Sequence, residues 1–506
     1  MSNVELLPAL LVVVPILAAA VPIALGLKVD RNGWSVAAIT CTALFAGAAY
    51  LAAVVYGYLG DGGRVVHSLG GYDRQYGIEL VADELSAMIV LLVAATSAGV
   101  LAFTRVGGPR GNTFYSGWLL LTGGLLGLSM TGDVFNMFVF LEIVGLGTYA
   151  LISSGDGPES AVAALKYLIL GTVGASIYLI GVGFLFMATG TLNMIELSTA
   201  IPETAGYDHT LVRAAFAFIF VGFAIKVAQW PLHTWQPDAY QHAPDGVTPL
   251  IAALVSTVSA YALARLMYTV FTPEFLQVTP YAAEVVVTVG AVSVLAGSTL
   301  AVIQQDVKRM FAYSSVAQFG LIVAAYGLVN ETALIGAIVH LVGHGLMKAG
   351  LFVAAGIVAL GYGARTVDEY AGLAQHRPVV AASTALLLIA LIGIPPSVGF
   401  VGKWYIAVGA VEAQVWPVAA VIFLSTMLTL AYSARLLEKM YFTPAAPAEA
   451  PHAAGVATDG NGLSRVTIGM LVLVVAAALI AVALGFAGDL FFELLEPFVE
   501  EVFTDV

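Results

Sequence analysis

Long apolar runs recur along almost the whole chain, and they constrain its fold more than any other feature. Each run holds about 20 residues, which is enough for a helix to cross roughly 30 Å of hydrocarbon. Only 10% of the 506 residues are charged, against roughly 25% in a soluble domain. Because hydrocarbon offers no hydrogen-bond partners to the backbone, such runs must fold as helices. The sequence therefore predicts an all-α polytopic membrane protein.

The runs divide into about fourteen predicted spans separated by short polar segments. An even number of spans places both termini on one side of the membrane. The predicted spans cover residues 5–27, 34–59, 84–105, 114–132, 134–153, 160–190, 211–241, 247–271, 279–303, 309–328, 332–360, 379–412, 415–442 and 464–486.

The connections on the two sides differ in their content of Lys and Arg, which are retained on the cytoplasmic face. The side reached after odd-numbered spans holds twelve: Lys28, Arg31, Arg105, Arg110, Lys166, Lys308, Arg309, Arg365, Arg377, Arg435, Lys439 and Arg465. The other side holds four: Arg64, Arg74, Arg213 and Arg265. We therefore expect a multi-pass membrane protein with both termini outside.

Several function classes are excluded by what the sequence lacks. Cys41 is its one cysteine, so neither a disulfide framework nor an iron–sulfur cluster is possible. The chain contains no GxxxxGK[ST] and no HExxH motif, which speaks against an NTPase and a zinc hydrolase. Nothing indicates nucleic-acid binding, and no cofactor or metal is predicted.

Two predicted spans are too polar in the middle to be continuous helices. The seventh contains Lys226-Val-Ala-Gln-Trp-Pro-Leu-His233, and the twelfth contains Ile394-Pro-Pro-Ser-Val-Gly-Phe-Val-Gly-Lys403. Proline removes a helical hydrogen-bond donor, and a broken backbone at membrane depth survives only inside protein or beside a water-filled cavity. A membrane proline is often only a kink, but two breaks beside lysines favour a functional role.

A short internal repeat suggests how the chain is organised. Asp133-Val-Phe-Asn-Met-Phe138 matches Asp306-Val-Lys-Arg-Met-Phe311, although one hexapeptide could match by chance. Five helices separate the copies, so they would have opposite orientations, as in many transporters. The predicted segments are N-terminal helices in 1–110, a first repeat in 114–271, a second repeat in 279–442, a flexible loop in 443–463, and a last helix with an acidic tail in 464–506.

Four charged side chains are predicted well inside the spans: Glu142, Lys226, Lys348 and Lys403. Each costs about 2.5–3.5 kcal/mol at a helix centre. A structural ion pair between Glu142 and one lysine is an alternative, but it would leave two lysines unexplained. A buried lysine whose carboxylate neighbour approaches or retreats loads and releases a proton near neutral pH, which is what a pump or an antiporter needs.

The eleventh span adds titratable groups at a spacing of four residues: His340, His344 and Lys348. This spacing puts all three on one helical face at steps of about 6 Å, which predicts a water-bridged proton ladder. Two histidines four residues apart could instead bind a metal. The span has no carboxylate or cysteine that would complete such a site.

Polar residues also follow the first break. His233, Asp238 and His242 could form a polar passage toward the cytoplasmic side. They could equally cap a solvated helix end.

Four of these stretches resemble one known family. They are Thr131–Glu142, Lys226–Pro244, Lys308–Ser315 and His340–Lys348. They are similar to the proton-conducting, antiporter-like membrane subunits shared by complex I, membrane-bound hydrogenases and Mrp-type cation/proton antiporters. Within the family, Thr189-Gly-Thr-Leu-Asn-Met194 is most like the D-type subunit of Mrp antiporters.

The resemblance implies a fold, a function and roles for single residues. The implied fold has fourteen helices in two inverted five-helix repeats, with helices 7 and 12 broken. Glu142 matches the family's essential glutamate, Lys226 its central lysine, and Lys403 the terminal lysine of the proton exit. Lys166 and Lys308 are secondary candidates. The implied partners are other subunits of a membrane antiporter complex, protons and Na⁺ or K⁺. The alternatives are a proton-pumping subunit of an NADH-quinone oxidoreductase or hydrogenase complex, and a self-sufficient transporter.

One position departs from the family pattern. The family places a lysine in the eighth helix where this chain has Thr257, in Thr257-Val-Ser-Ala-Tyr-Ala-Leu-Ala-Arg265. A hydroxyl bonds water but holds no charge. We therefore expect either that the central relay depends on water, Tyr261 and the histidine ladder, or that conduction is impaired.

Overall fold

The computed structural model describes residues 4–27, 33–74, 76–109, 111–444 and 466–504. Four of the basic residues counted above, Lys28, Arg31, Arg110 and Arg465, lie outside the described residues. So does nearly all of the predicted loop 443–463.

The described chain is mostly helical, with one small hairpin. The helices are α1 (Leu7–Ala18), α2 (Ala20–Gly26), α3 (Gly33–Val55), α4 (Glu84–Gly107), α5 (Asn112–Met130), α6 (Val134–Ile152), α7 (Pro158–Thr189), α8 (Met194–Ala200), α9 (Thr210–Lys226), α10 (Trp235–His242), α11 (Thr248–Arg265), α12 (Thr272–Val278), α13 (Ala282–Val302), α14 (Val307–Tyr326), α15 (Glu331–Tyr362), α16 (Leu373–His376), α17 (Pro378–Ile392), α18 (Val398–Glu412), α19 (Trp416–Phe442), α20 (Ile468–Ala483) and α21 (Gly488–Thr504). Strands β1 (Val65–Ser68) and β2 (Glu79–Ala82) pair antiparallel, with Val65 opposite Ala82. Short 3₁₀ turns cover Leu69–Gly71, Asp368–Tyr370 and Leu484–Phe486, and π-turns cover Ile201–Ala205 and Leu266–Val270.

Ten helices of the described chain are long and apolar enough to cross a membrane, or up to eleven if one bent pair counts as a single span. The predicted all-α polytopic class is therefore confirmed. Each of the two predicted broken spans appears as shorter helices. Helix α9 has 17 residues, and α17 and α18 have 15 each. The count of fourteen spans stays a prediction.

Two adjacent helices, α11 and α15, form the centre of the bundle. Every residue of α11 is buried, and so is nearly every residue of α15 between Ala333 and Val358. The two helices pack against each other and against α4 and α14. Polar groups on α11 and in the middle of α15 are therefore shielded from the surface.

The bundle has two distinct ends, and α11 runs from one to the other. Arg265, its last residue, pairs with Asp83 beside the hairpin. We call this end the hairpin face. Helix α1 contacts both strands, and Glu501 of α21 pairs with Arg64, so both described ends of the chain lie on this face. Which side of the membrane the hairpin face occupies stays a prediction.

The two copies of the sequence repeat begin their helices in the same way. Asp133 caps α6 by accepting a hydrogen bond from the Asn136 amide at 2.6 Å. Asp306 caps α14 by accepting one from the Arg309 amide at 2.8 Å. A side-chain acceptor at this position satisfies one of the free amides of the first helical turn.

The next helix after each of these two capped helices is also alike in the two copies. Helices α7 and α15 both have 32 residues, and both end at a left-handed glycine, Gly190 and Gly363. The chain beyond each glycine returns to the matching cap. The residue after the capping aspartate donates its amide to the carbonyl of Leu192 in the first case and of Arg365 in the second, both at 2.9 Å.

Candidate functional site

The first break in the helices leaves Lys226 at the end of α9, and α10 resumes at Trp235. The break includes a cis peptide before Pro231. Nearby side chains replace the lost helical hydrogen bonds, since the Trp235 indole donates to the Ile225 carbonyl at 2.8 Å and the Ser256 hydroxyl to the Lys226 carbonyl at 3.4 Å. The start of the break is thus stabilised inside the protein, whereas Trp230 and Leu232 in its middle are exposed at the surface of the chain.

The Lys226 ammonium occupies a space between α6 and α7. The side chain is buried, with 7% exposed. Its nitrogen lies 3.9 Å and 3.7 Å from the positions that side chains on Gly145 and Gly171 would take. Glu142 is one helical turn from Gly145 and lies within Coulombic reach of Lys226. In the described part of the chain, no ion pair within 4 Å includes Glu142, so the structure does not form the fixed pair considered as an alternative.

Glu142 lies nearer the surface than the sequence predicts. It is half-buried, and it shares one face of α6 with the exposed side chains of Phe135, Val139 and Leu146. The side chain is only partly covered in the chain by itself, because this face of α6 points out of the bundle. An apolar face that carries one carboxylate is typical of a surface that another protein covers.

The three titratable residues of α15 lie on the face that packs against α14. His340 bonds Gln318 at 2.8 Å through its Nε2 atom. The His344 ring packs edge-on against Phe319 at 4.6 Å between centroids, and neither ring nitrogen has a hydrogen-bond partner among the described residues. A buried polar group without a partner is a site for water.

Lys348 lies at the other end of this row and is fully buried. Its ammonium donates to the Phe311 carbonyl at 2.8 Å and to the Ser314 hydroxyl. The row His340–His344–Lys348 is hereafter called the histidine ladder. No group of three or more metal-ligating residues is found in the described chain.

The second break leaves Lys403 against the end of a half-helix. Lys403 is 6% exposed, and its ammonium donates to the carbonyls of Leu391 and Ile392 at 3.0 and 2.9 Å. These carbonyls end α17, where the helix dipole places a partial negative charge. Ser397 then caps α18 by accepting from the Phe400 amide.

A glycine contact joins Lys403 to the histidine ladder. A Cβ on Gly402 would lie 2.6 Å from the Cβ of His340, closer than real side chains approach. Glycine therefore allows α18 and α15 to touch at the backbone. Lys403, the next residue, is thereby placed beside the His340 end of the ladder.

The two polar residues singled out on α11 lie in different surroundings. Thr257 packs against Gly345, the residue after His344, and its hydroxyl has no hydrogen-bond partner among the described residues. Tyr261 instead donates its hydroxyl to the Ser129 carbonyl at 2.7 Å. Tyr261 therefore belongs to the hairpin face, and only Thr257 adjoins the ladder.

Lys166 and Asp238 belong to an ion-pair group away from the ladder. Asp238 accepts from Lys166 at 2.6 Å and from Arg309 at 2.8 Å. The carboxylate thus ties α7 and α10 to the start of α14. Of the two interpretations of the polar residues after the break, Asp238 fits a helix-end clamp better than an open passage.

Lys308 belongs to a second clamp on the face opposite the hairpin. It donates to the Ala243 carbonyl at 2.7 Å and pairs with Asp245 at 3.0 Å, and Asp245 also pairs with Arg365. Burial alone would raise the pKa of the Asp245 carboxyl, but Lys308 and Arg365 outweigh it and hold that pKa below its usual range.

The two candidate histidines that follow the first break, His233 and His242, also lie toward the face opposite the hairpin. His233 is buried, with its ring 5.9 Å from that of Tyr313. His242 lines a cavity of about 740 Å³ together with Asp156 and Asp306. Such a cavity gives water access to the end of α10.

The residues of α14 that hydrogen-bond to the ladder could not be predicted from the sequence. Gln318 and Ser314 were visible as polar residues in an apolar run. No local pattern showed that they face His340 and Lys348, because that contact depends on how two helices pack. Gly402 likewise could not be distinguished by sequence within the 53 glycines of the chain.

The family described as NADH:quinone oxidoreductase/Mrp antiporter, transmembrane, matches residues 131–429, which include both broken helices and the ladder. The chain belongs to this family. Its members are antiporter-like membrane subunits, as the resemblance predicted.

Curated relatives of this family member come from both branches. The N-type subunit of the NADH-quinone oxidoreductase of Desulforudis audaxviator is 40% identical over 458 residues, covering 88% of this chain and 89% of the relative. The D-type subunit of the Na⁺/H⁺ antiporter of Bacillus subtilis is 33% identical over 366 residues, covering 72% and 73%.

Solved structures agree on the fold. A chain of the Mrp complex from Dietzia sp. DQ12-45-1b superposes with a TM-score of 0.89 at 26% identity, covering 100% of this chain and 98% of that one. A chain of an archaeal membrane-bound sulfane sulfur reductase superposes with a TM-score of 0.86 at 27% identity, covering 98% and 97%.

Proposed function

We propose that this chain is the proton-translocating subunit of a multisubunit antiporter that exchanges Na⁺ or K⁺ for protons. One observation carries the proposal. Each of two broken helices is associated with a buried lysine, Lys226 and Lys403, and the row between α14 and α15 supplies further titratable groups, with its His340 end beside Lys403. Titratable and charged groups in so apolar a bundle are expensive to keep unless they carry ions.

The proton would move between groups whose affinity depends on their neighbours. Lys226 has the Glu142 carboxylate within Coulombic reach, and the proton affinity of a buried group depends on the charges near it. Lys403 has instead the carbonyl end of α17. Water at the unpaired ring of His344 would connect the ladder, because a neutral imidazole accepts a proton on one nitrogen and releases one from the other.

We propose the family arrangement of fourteen helices in two inverted repeats, residues 114–271 and 279–442. The matching caps at Asp133 and Asp306 and the matching returns after Gly190 and Gly363 support it. Helix α6 begins at the hairpin face, since the Gly132 amide donates to the Glu79 carbonyl of β2. Helix α14 begins at the opposite face, which is what inversion requires.

We also propose that the chain works only with other subunits of an antiporter complex in a prokaryotic plasma membrane, with both termini outside. The apolar face of α6 that carries Glu142 supports a protein partner there. A partner charge at this face would reach Glu142 and, through it, Lys226. The similarity to a chain of an Mrp complex supports the same assembly.

A second candidate is the proton-pumping membrane subunit of an NADH-quinone oxidoreductase. The 40% identity to an N-type subunit over 88% of this chain supports it. The two candidates share the relay and differ in the subunits bound to it. Purification of the complex from native membranes separates them, because co-purifying small antiporter subunits favour the first and iron–sulfur or quinone-module subunits the second.

The relay is tested by substituting Ala for Glu142, Lys226 and Lys403, one at a time. Cation/proton exchange in membrane vesicles should fall to the level of vesicles without the complex, while assembly stays intact. Lys439→Ala is the matched control, because Lys439 pairs with the exposed Asp368 away from the ladder, and it should exchange normally. Near-normal exchange in one of the three variants would remove that residue from the relay. Exchange by the purified chain alone would show a self-sufficient transporter instead.

A further inference from the structure

A buried ion pair at the hairpin face has no role in the relay described so far. Asp83 caps α4 by accepting from the Ser86 amide at 2.9 Å, and it pairs with Arg265 at 2.6 Å. Their side chains are only 2% and 11% exposed. The Arg265 guanidinium also stacks on Phe498 of α21, at 5.1 Å from the ring centroid.

A row of polar side chains on α11 connects this pair to the histidine ladder. Thr257, Tyr261 and Arg265 are spaced by four residues, so they lie on one helical face at steps of about 6 Å. Arg265 donates to the Tyr261 hydroxyl at 3.3 Å. At the other end, Thr257 adjoins the turn of α15 that carries His344, and both have polar atoms without hydrogen-bond partners among the described residues.

Two cavities lie at the hairpin end of this row. The smaller, of about 30 Å³, is lined by Tyr261, Arg265 and Asp83, and this volume is enough for water. The larger, of about 410 Å³, lies beneath α21 and is lined by Phe498 and Glu501. Arg265 lines both cavities, as do Arg64, Ile195 and Thr269, so the Arg265–Asp83 pair lies where the two cavities adjoin.

We propose that Asp83, Tyr261 and Arg265 form a gate through which protons pass between the histidine ladder and the hairpin face, under the cover of α21. This inference rests on the proposed function, since it gives the ladder an opening of its own. It also assigns a role to Thr257, where a hydroxyl with no partner among the described residues holds the first water of the row.

The gate works by charge and by hydrogen-bond exchange. Each hydroxyl or water in the row accepts one proton and releases another, so none is gained or lost. Arg265 keeps its charge at every relevant pH, and while it is paired with Asp83 it repels a proton that approaches. When the guanidinium moves away from Asp83 into the larger cavity, the Asp83 carboxylate is free to accept the proton and pass it to water in that cavity.

Removal of one hydroxyl tests the row. Tyr261→Phe should lower exchange by about tenfold in vesicles that contain the assembled complex. Tyr178→Phe is the matched control, because Tyr178 is equally buried and also donates to a backbone carbonyl, that of Val134, at 2.7 Å. It lines neither cavity, so exchange should stay within twofold. Equal exchange in the two variants, high or low, would overturn the gate.

Water access to the gate is tested without measuring transport. Cys41 is buried and alone of its kind, so Cys41→Ser gives a background for Thr269→Cys, a position that lines both cavities. Tyr76→Cys, at a highly exposed place near the hairpin, marks the hairpin face. An impermeant cationic thiol reagent should modify Thr269→Cys from the same side as Tyr76→Cys, and faster when Phe498→Ala removes the cover.

The outcomes separate this inference from the proposed function. No labelling of Thr269→Cys from the Tyr76 side, or no acceleration by Phe498→Ala, would overturn the gate. Loss of exchange in Lys226→Ala would still support the relay in that case. Labelling as expected, together with normal exchange in Lys226→Ala, would leave an open gate and contradict the relay.

Discussion

The sites of Lys226 and Lys403 look alike in sequence but hold their charges differently. The Lys403 ammonium donates to two carbonyls at the end of α17, so the backbone itself fixes it. The Lys226 ammonium has glycines on two sides and Glu142 within reach. Because Glu142 lies on an outward face, the charge around Lys226 is open to a partner. The Lys226 site therefore responds to neighbouring charges, whereas the Lys403 site is set by the fold.

The largest effect is expected when each lysine becomes an arginine. Lys226→Arg and Lys403→Arg keep the positive charge, but a guanidinium does not release its proton. We expect exchange to fall by about 100-fold or more in both variants, measured as cation-driven pH change in vesicles. If Lys403→Arg exchanges normally, Lys403 only caps the end of α17 and the comparison breaks down.

The next effect concerns the clamp that holds the two halves together opposite the hairpin. Asp245→Asn leaves the buried Lys308 without its carboxylate, which should lower stability by about 3 kcal/mol. Asp368→Asn is the control, because Asp368 is mostly exposed in its pair with Lys439 and should change stability by less than about 0.5 kcal/mol. Thermal unfolding of the purified complex measures both.

The pH dependence of this clamp follows from the sign of its shift. The pKa of Asp245 is lower in the folded chain than in the unfolded one, where it is about 3.9. Its contribution to stability is therefore complete above about pH 4 and is lost as the pH falls through the lower folded value. The difference between Asp245→Asn and the natural chain should stay constant from about pH 6 to about pH 9. A difference that varies over this range would show that another group titrates there.

A smaller effect tests how Lys403 reaches the ladder. Gly402→Ala would push α18 away from His340 and should lower stability by about 2 kcal/mol, as overpacking does, with a matching loss of exchange. Gly183→Ala in α7 is the control, because nothing lies within 4 Å of its added carbon. If thermal unfolding is the same for both variants, the close contact at Gly402 does not position Lys403.

The smallest effect sharpens the comparison of the two halves. Asp133→Ala and Asp306→Ala each remove one helix cap and should lower stability by about 1 kcal/mol. Matching positions in a repeat should respond alike, so the two values should agree to within about 0.5 kcal/mol. A loss in only one variant would argue against equivalent roles for the two caps.

Much of the fold and part of the site could be predicted from the sequence. The helical class, both breaks and the row on α15 follow from composition, proline and a spacing of four, which are local signals. The ladder's partners on α14, the contact at Gly402 and the pairing of Asp83 with Arg265 depend on packing between distant helices. The half-burial of Glu142 was missed for the same reason, since hydropathy does not show which face of a helix points outward.

The most direct test of the account records proton and cation fluxes together in liposomes that contain the purified complex with Lys226→Ala. Both fluxes should stop in this variant, while a complex with Lys439→Ala continues to exchange. Proton flux at the natural rate in an intact complex that carries Lys226→Ala would contradict it.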